Sequence, residues 1–126
     1  MSTQTISGFI GDGYDERASI AAQPGLWQAM RFTFRPMLPL EYGQFVDFAN
    51  RNSDEKAKEE IARRLATKIV DWDLRDVKDR PVPVTQANLQ RIKPLLLVRL
   101  WNIVCGMEPG DGVNEAPADL SADLGN

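Results

Sequence analysis

Alternating apolar and polar residues predict a β-strand near the middle of the first half of the chain. In the segment MRFTFR, residues 30–35, Met30, Phe32 and Phe34 take every second position, with arginine or threonine between them. Successive side chains of a strand project to opposite faces, so one face of this strand is apolar and the other is polar. Pro36 ends the strand, because proline has no amide hydrogen to donate to a neighbouring strand.

Two segments that follow have the three-and-four spacing of apolar residues that is typical of helices. The first covers about residues 38–51. The second begins at Asn52 or Ser53, where Asn52 and Glu55 resemble a capping box. From there an apolar residue recurs every fourth position up to Ile69. We therefore expect two amphipathic helices in succession.

The segment DWDLRDVKDRPVPV, residues 71–84, predicts a short β-hairpin or a strand-like pair of loop segments. Trp72 and Leu74 alternate with charged residues, and two valines alternate with Pro81 and Pro83. The polar residues between the two arms suit a turn. We interpret Trp72 as a core anchor that pins the hairpin to the helices, with a contact to a partner protein as the alternative.

The last helical segment begins after this hairpin. Thr85 is a suitable N-cap residue, and Pro94 predicts a kink or a new helix start. Residues 94–106, PLLLVRLWNIVCG, are almost wholly apolar, and Gly106 is a suitable C-cap. Two interpretations stay open: this helix is buried on most sides, or part of it contacts a partner.

Taken together, the patterns predict an α+β fold that is predominantly helical. We expect a small N-terminal β element, three to four helices, a short β-hairpin before the last helical segment and a disordered acidic C-terminal tail. Residues 1–25 are predicted as an arm or short strands, with a tight turn at Gly11-Asp12-Gly13. Residues 26–106 are predicted as a single globular domain and residues 107–126 as a flexible tail.

Charge is unevenly distributed along the 126 residues. The net charge is −3, yet the segment after Met107 carries five acidic residues and no basic one. The remainder is slightly basic and lacks the strong positive field of a nucleic-acid-binding protein. No segment approaches the roughly 18 consecutive apolar residues of a membrane helix, and the N-terminus has no secretory signal pattern. We therefore expect a cytoplasmic protein with neither a nucleic-acid nor a membrane partner.

Candidate catalytic residues are scarce. The chain has no histidine and a single cysteine, Cys105, inside the apolar run WNIVCG. A nucleophilic cysteine needs a base, so we interpret Cys105 as a small buried apolar residue. Asp71, Asp73 and Asp76 form one local acidic cluster that could hold Mg²⁺ in a carboxylate enzyme, or that keeps the hairpin soluble. We favour no enzymatic activity, no cofactor and no metal.

The order of short motifs resembles a known family. A strand ends in Phe34-Arg35-Pro36, a helical middle ends in Trp72-Asp73-Leu74, a charged turn leads to Pro81-Val82-Pro83, and a capped helix continues with Pro94-Leu95-Leu96. Over about residues 26–106 this order is similar to that of the small tail assembly chaperones and related tail-cluster proteins of long-tailed bacteriophages and prophages.

The resemblance implies a mostly helical protein that binds the tape-measure protein in the cytoplasm of the bacterial host while the tail assembles. Such chaperones carry no catalytic residues and leave before the virion is complete, and some form homo-oligomers. A structural minor tail or connector protein of the virion is the alternative that the same motif order allows.

Candidate partner-binding residues are the large apolar side chains that could be shared with a helical client. Each is also a typical core residue, so only the set supports binding. The set comprises Met30, Phe32, Phe34, Phe45, Phe48, Trp72 and Trp101.

Overall fold

The computed structural model describes residues 6–117, which form a three-stranded antiparallel sheet and four helices. The α+β prediction is confirmed, and within this range the helices contain more residues than the strands. The elements in chain order are β1 (Glu16–Ile20), β2 (Met30–Phe34), α1 (Pro39–Arg51), α2 (Asp54–Lys68), β3 (Ile69–Trp72), α3 (Gln86–Leu89) and α4 (Pro94–Val104).

The sheet has the order β1-β2-β3 and one apolar face. Met30, Phe32 and Phe34 of β2 are almost completely buried, as the alternation predicts. Ala18 and Ile20 of β1 are buried as well, and they pair with Phe32 and Met30. The buried residues of the two strands therefore share one face of the sheet.

The N-terminal part contributes a strand to this sheet. Of the two alternatives for residues 1–25, an arm or short strands, residues 16–20 adopt the strand. The predicted tight turn is confirmed, because the Tyr14 amide donates to the Gly11 carbonyl (3.1 Å) and Gly13 has a φ of +74°. The globular part thus begins ahead of the predicted boundary at residue 26.

The junction between α1 and α2 differs from the predicted capping box. Ser53 is the N-cap of α2, and its hydroxyl accepts from the Lys56 amide (3.3 Å). The capping box predicted at Asn52 is wrong, because that side chain completes the preceding helix. Its amide group donates to the Phe48 carbonyl (2.8 Å), one of the last carbonyls of α1.

The predicted hairpin forms in part, and its first arm also pairs with β2. Ile69, predicted as the last residue of the helical stripe, opens β3, and Trp72 pairs with Phe32. Within the described residues a single bridge, Arg75 to Pro81, joins the two arms of the predicted hairpin. The Val82 amide donates to the Leu74 carbonyl (3.0 Å) and the Asp76 amide to the Arg80 carbonyl (3.0 Å), whereas Pro81 has no amide hydrogen to donate.

The predicted caps of the last two helices are confirmed. The Thr85 hydroxyl accepts from the amide three residues later (3.1 Å), and Pro94 occupies the first turn of α4. Gly106 follows the C-cap with a φ of +74°, which a glycine adopts without strain. The Met107 amide then donates to the Asn102 carbonyl (2.8 Å), which completes a Schellman motif.

The core lies between the apolar face of the sheet and the inner sides of the helices. Leu96, Leu100 and Val104 on one side of α4 are at most 2% exposed. Phe45 of α1 packs against Trp101 of α4 with ring centroids 4.6 Å apart. One side of α4 is therefore buried in the core, as the first of the two interpretations of this helix expects for that side.

Residues that follow α4 run back along the outer edge of β1. The Arg17 amide donates to the Glu115 carbonyl (2.6 Å), and the Glu115 amide donates back to the Arg17 carbonyl (3.1 Å). The Asp111 amide likewise donates to the Ser19 carbonyl (2.8 Å). These bonds cover strand groups that would otherwise lie on an open sheet edge.

Ion pairs fix the same segment to α4. The Arg99 guanidinium lies 3.0 Å from a Glu108 carboxylate oxygen and 2.8 Å from one of Asp111. Residues 107–117, predicted as part of a flexible tail, thus contact β1 and α4 through hydrogen bonds and ion pairs that the composition of the segment does not reveal. The rest of the predicted tail, residues 118–126, lies outside the described residues.

Candidate functional site

Five of the seven candidate partner-binding residues lie in the protein's own core. They are at most 8% exposed, so they are not available to a second protein in this conformation. Their prediction as partner contacts is corrected to a core role, because the inward faces of β2, α1 and α4 all meet the same interior. These five residues are Met30, Phe32, Phe34, Phe45 and Trp101.

The other two candidates, Phe48 and Trp72, are half-buried. The Trp72 ring packs against the core, and its Nε1–H donates to the Val82 carbonyl (2.5 Å). This bond ties the loop after β3 to the sheet, so the interpretation of Trp72 as an anchor is confirmed. Phe48 lies on α1, close to the junction with α2.

Two aspartates of the acidic cluster Asp71, Asp73 and Asp76 accept hydrogen bonds from backbone amides. An Asp73 oxygen accepts from the Arg31 amide (2.8 Å), and Asp76 accepts from the amides two and four residues later (2.9 and 3.0 Å). The backbone hydrogen bonds lower the pKa of Asp76, while Asp71 is exposed. Across residues 6–117, no three His, Cys, Asp or Glu side chains are grouped closely enough to hold a metal ion.

Cys105 is poorly suited to nucleophilic chemistry. It is half-buried beside the core, and burial raises the pKa of its thiol to about 12. The thiol is therefore protonated at neutral pH, whereas the thiolate is the reactive form. This agrees with the interpretation of Cys105 as an apolar residue.

An open depression of about 370 Å³ lies between the ends of β1 and β2 and the segment after α4. Its polar groups already stabilise the fold: Asp111 accepts from the Ala21 amide (2.7 Å), and Asp73 accepts from Arg31. The hydrogen bond from Ala21, together with that from Arg99, lowers the pKa of Asp111. The depression therefore offers few unused polar groups to a ligand.

The outer side of α4 carries exposed apolar residues. Leu95 is 65% exposed and Val98 is 51% exposed, and residues three apart lie on the same side of a helix. Arg91 and Lys93 are also exposed; Arg91 lies in the turn between α3 and α4, and Lys93 is the N-cap residue of α4. We refer to these four residues as the α4 patch.

Other exposed apolar residues are placed differently. Leu40 and Val46 of α1 are six residues apart and so point to different sides of that helix. Val77 is fully exposed, but it lies in the turn after β3. Single exposed apolar residues of this kind are common, whereas an apolar pair on one side of a helix calls for an explanation.

The α4 patch is basic at one end. Arg91 and Lys93 form no ion pair with any residue in the described range 6–117. The sequence has no acidic residue from position 81 to position 107, so no carboxylate from this stretch neutralises them. Arg99, the remaining basic residue of the stretch, is paired with Glu108 and Asp111.

The positions of the polar residues in α4 indicate this patch, although the helix is apolar overall. Arg99 and Asn102 are the polar residues of α4, and each lies four positions after a residue of the exposed pair, Leu95 or Val98. Polar residues mark the outer side of an amphipathic helix. The same spacing therefore places Leu95 and Val98 on that outer side.

Comparison of the chain with protein-family models, with curated proteins and with solved structures finds no match. Among the helices of residues 6–117, none has both the length and the apolar character needed to span a bilayer.

Proposed function

We propose that this chain is a non-enzymatic protein-binding factor and that a partner protein contacts its α4 patch. The exposed pair Leu95 and Val98 is the observation that carries the proposal. The core is complete without these side chains, since Leu96 and Leu100 on the opposite side of the same helix are buried. Apolar surface that folding does not require is typical of a binding site.

The state of the polar groups supports binding rather than catalysis. The one cysteine has a raised pKa, and Asp73 and Asp76 accept backbone hydrogen bonds. The raised pKa keeps the Cys105 thiol protonated at neutral pH, whereas a nucleophilic cysteine needs the thiolate.

The more specific role comes from the motif order. We propose that the partner is the tape-measure protein of a long-tailed phage or prophage, held in the host cytoplasm during tail assembly. The alternative is a structural minor tail or connector protein. The small size of the α4 patch favours the chaperone, because permanent subunit interfaces are usually larger and more apolar.

Co-expression with fragments of a tape-measure protein encoded nearby tests this proposal. We expect the wild-type chain to keep a client fragment soluble and to co-elute with it. The double variant Leu95→Ser/Val98→Ser should lose both effects. Val77→Ser is the control, because it removes an exposed valine that lies away from the α4 patch, in the turn after β3.

Two outcomes would contradict the proposal in different ways. Undiminished co-elution with the Leu95→Ser/Val98→Ser variant would place the contact away from the α4 patch. Absence of any co-elution, combined with presence of the protein in purified virions, would instead favour the structural alternative.

A further inference from the structure

The spacing of the exposed pair fits one kind of partner surface. Leu95 and Val98 follow each other by about 4.5 Å along the helix axis, at a rise of about 1.5 Å per residue. A second helix that packs against such a row presents apolar side chains at intervals of three and four residues. An amphipathic helix with one apolar stripe meets this requirement.

The charge at the beginning of α4 narrows the choice further. The first turn of α4 contains no acidic residue, whereas the first turn of α2 contains Asp54 and Glu55. A helix N-terminus carries a partial positive charge that acidic groups offset. At α4 this partial charge adds to the positive charges of the exposed Arg91 and Lys93. No acidic residue in the first turn of α4 offsets them.

We propose that the α4 patch binds an acidic amphipathic helix. The apolar stripe of the partner packs on Leu95 and Val98, and its carboxylates lie beside Arg91 and Lys93. This inference rests on the proposed function and adds the chemical class of the partner segment. Opposite charges at the edge of such a contact chiefly set specificity and association rate.

Two synthetic peptides test the inference on the full chain. Both are helices of about four turns with leucine at the same positions, long enough to be partly helical in water. One carries glutamate beside the leucine stripe and the other carries lysine. Fluorescence anisotropy should give an affinity about tenfold higher for the glutamate peptide, and the preference should shrink as salt screens the charges.

Charge reversal provides the decisive comparison. Arg91→Glu/Lys93→Glu should invert the preference, so that the lysine peptide binds more tightly. Lys56→Glu/Lys58→Glu is the matched control, because it makes the same change of net charge on exposed positions of α2. The control should keep the preference of the wild type. Equal affinity for both peptides, or inversion by the control as well, would overturn the inference.

The sequence offers a second candidate for the occupant, to be separated by experiment. Residues 119–124, DLSADL, have acidic and apolar residues four positions apart. If Leu120→Ser/Leu124→Ser raises the affinity of the full chain for the glutamate peptide about tenfold, this segment is the native occupant and an external partner is not. A second copy of the chain is the other competitor. If the affinity for the glutamate peptide rises only when the chain is diluted below the concentration at which it self-associates, a second copy covers the α4 patch, and this result also overturns the proposal.

Failure of this inference is distinguishable from failure of the proposed function. A tape-measure fragment that depends on Leu95 and Val98, together with peptides that show no charge preference, would leave the binding role intact and remove the acidic partner. Loss of both results would remove both.

Discussion

The outer sides of α2 and α4 differ although both helices pack their inner sides on the same core. The outer side of α2 carries exposed charged residues, among them Lys56, Glu59 and Arg63. The outer side of α4 instead exposes Leu95 and Val98. A charged outer side is what a solvent-facing helix needs, so the apolar one points to a use beyond folding.

The two sides of α4 give the largest expected effect. Leu100→Ala removes a side chain with no exposure and should cost about 3–4 kcal/mol of the free energy of unfolding, since it leaves a cavity. Val98→Ala on the outer side should cost less than about 0.5 kcal/mol. Urea unfolding of both variants measures the contrast. A similar cost at the two positions would mean that Val98 is covered within the chain.

Trp72 should give the next largest effect. Trp72→Ala removes a half-buried ring and its hydrogen bond to Val82, so we expect a loss of about 3 kcal/mol. Trp72→Phe keeps most of the ring and should lose about 1 kcal/mol with the hydrogen bond. Thermal unfolding compares the two variants. Equal losses would show that the hydrogen bond, rather than the packing, dominates.

The N-cap of α3 should contribute a smaller amount. Thr85→Ala leaves the Asn88 amide without its side-chain acceptor and should cost about 1 kcal/mol. Thr85→Ser keeps the hydroxyl and is the matched control. Denaturant titration should place Thr85→Ser close to the wild type, and a loss equal to that of Thr85→Ala would contradict the role of the hydroxyl.

The ion pairs of α2 should make stability depend on acid pH. The hydrogen bond from Arg63 lowers the pKa of Glu60, aided by the one from Arg64, against an opposing effect of burial. A carboxyl whose folded pKa lies below its unfolded value, about 4.3, stabilises the fold above that value. This contribution is lost as pH falls through the folded pKa.

Stability measured from pH 7 downward should therefore decline less steeply in Glu60→Gln than in the wild type. The effect should stay below about 1 kcal/mol, since such pairs near the surface contribute little. Glu59→Gln, an exposed neighbour, is the control. An unchanged slope in Glu60→Gln would show that the ion pairs do not contribute to acid sensitivity.

Local patterns were sufficient to predict much of the fold. Alternation identified the buried face of β2, and side-chain chemistry identified the starts at Thr85 and Pro94 and the end at Gly106. These features depend on residues close in sequence. A single sequence is therefore sufficient to predict them.

Long-range pairing could not be predicted in the same way. Ile69–Trp72 joins β2, and the residues near Glu115 join β1, through hydrogen bonds between segments far apart in sequence. A short strand carries little information about which edge it will choose. The acidic composition after residue 106 accordingly suggested a flexible tail where Asp111 is held by Arg99.

The candidate partner-binding residues were chosen by a criterion that also selects core residues. Size and apolar character selected aromatic side chains such as Phe32 and Trp101, which the core requires. The exposed pair was less conspicuous because most residues of α4 are apolar. Its outer direction is defined by Arg99 and Asn102, and only the fold shows which side the sheet covers.

The affinity of a tape-measure fragment for the wild type, for Leu95→Ser/Val98→Ser and for Val77→Ser is the most direct test of the α4 patch. Titration should show at least about a tenfold loss for the double variant and none for Val77→Ser. The free energy of unfolding should change by less than about 0.5 kcal/mol in both variants, because every substituted side chain is exposed. Unchanged affinity in a correctly folded double variant would contradict the assignment of binding to this surface.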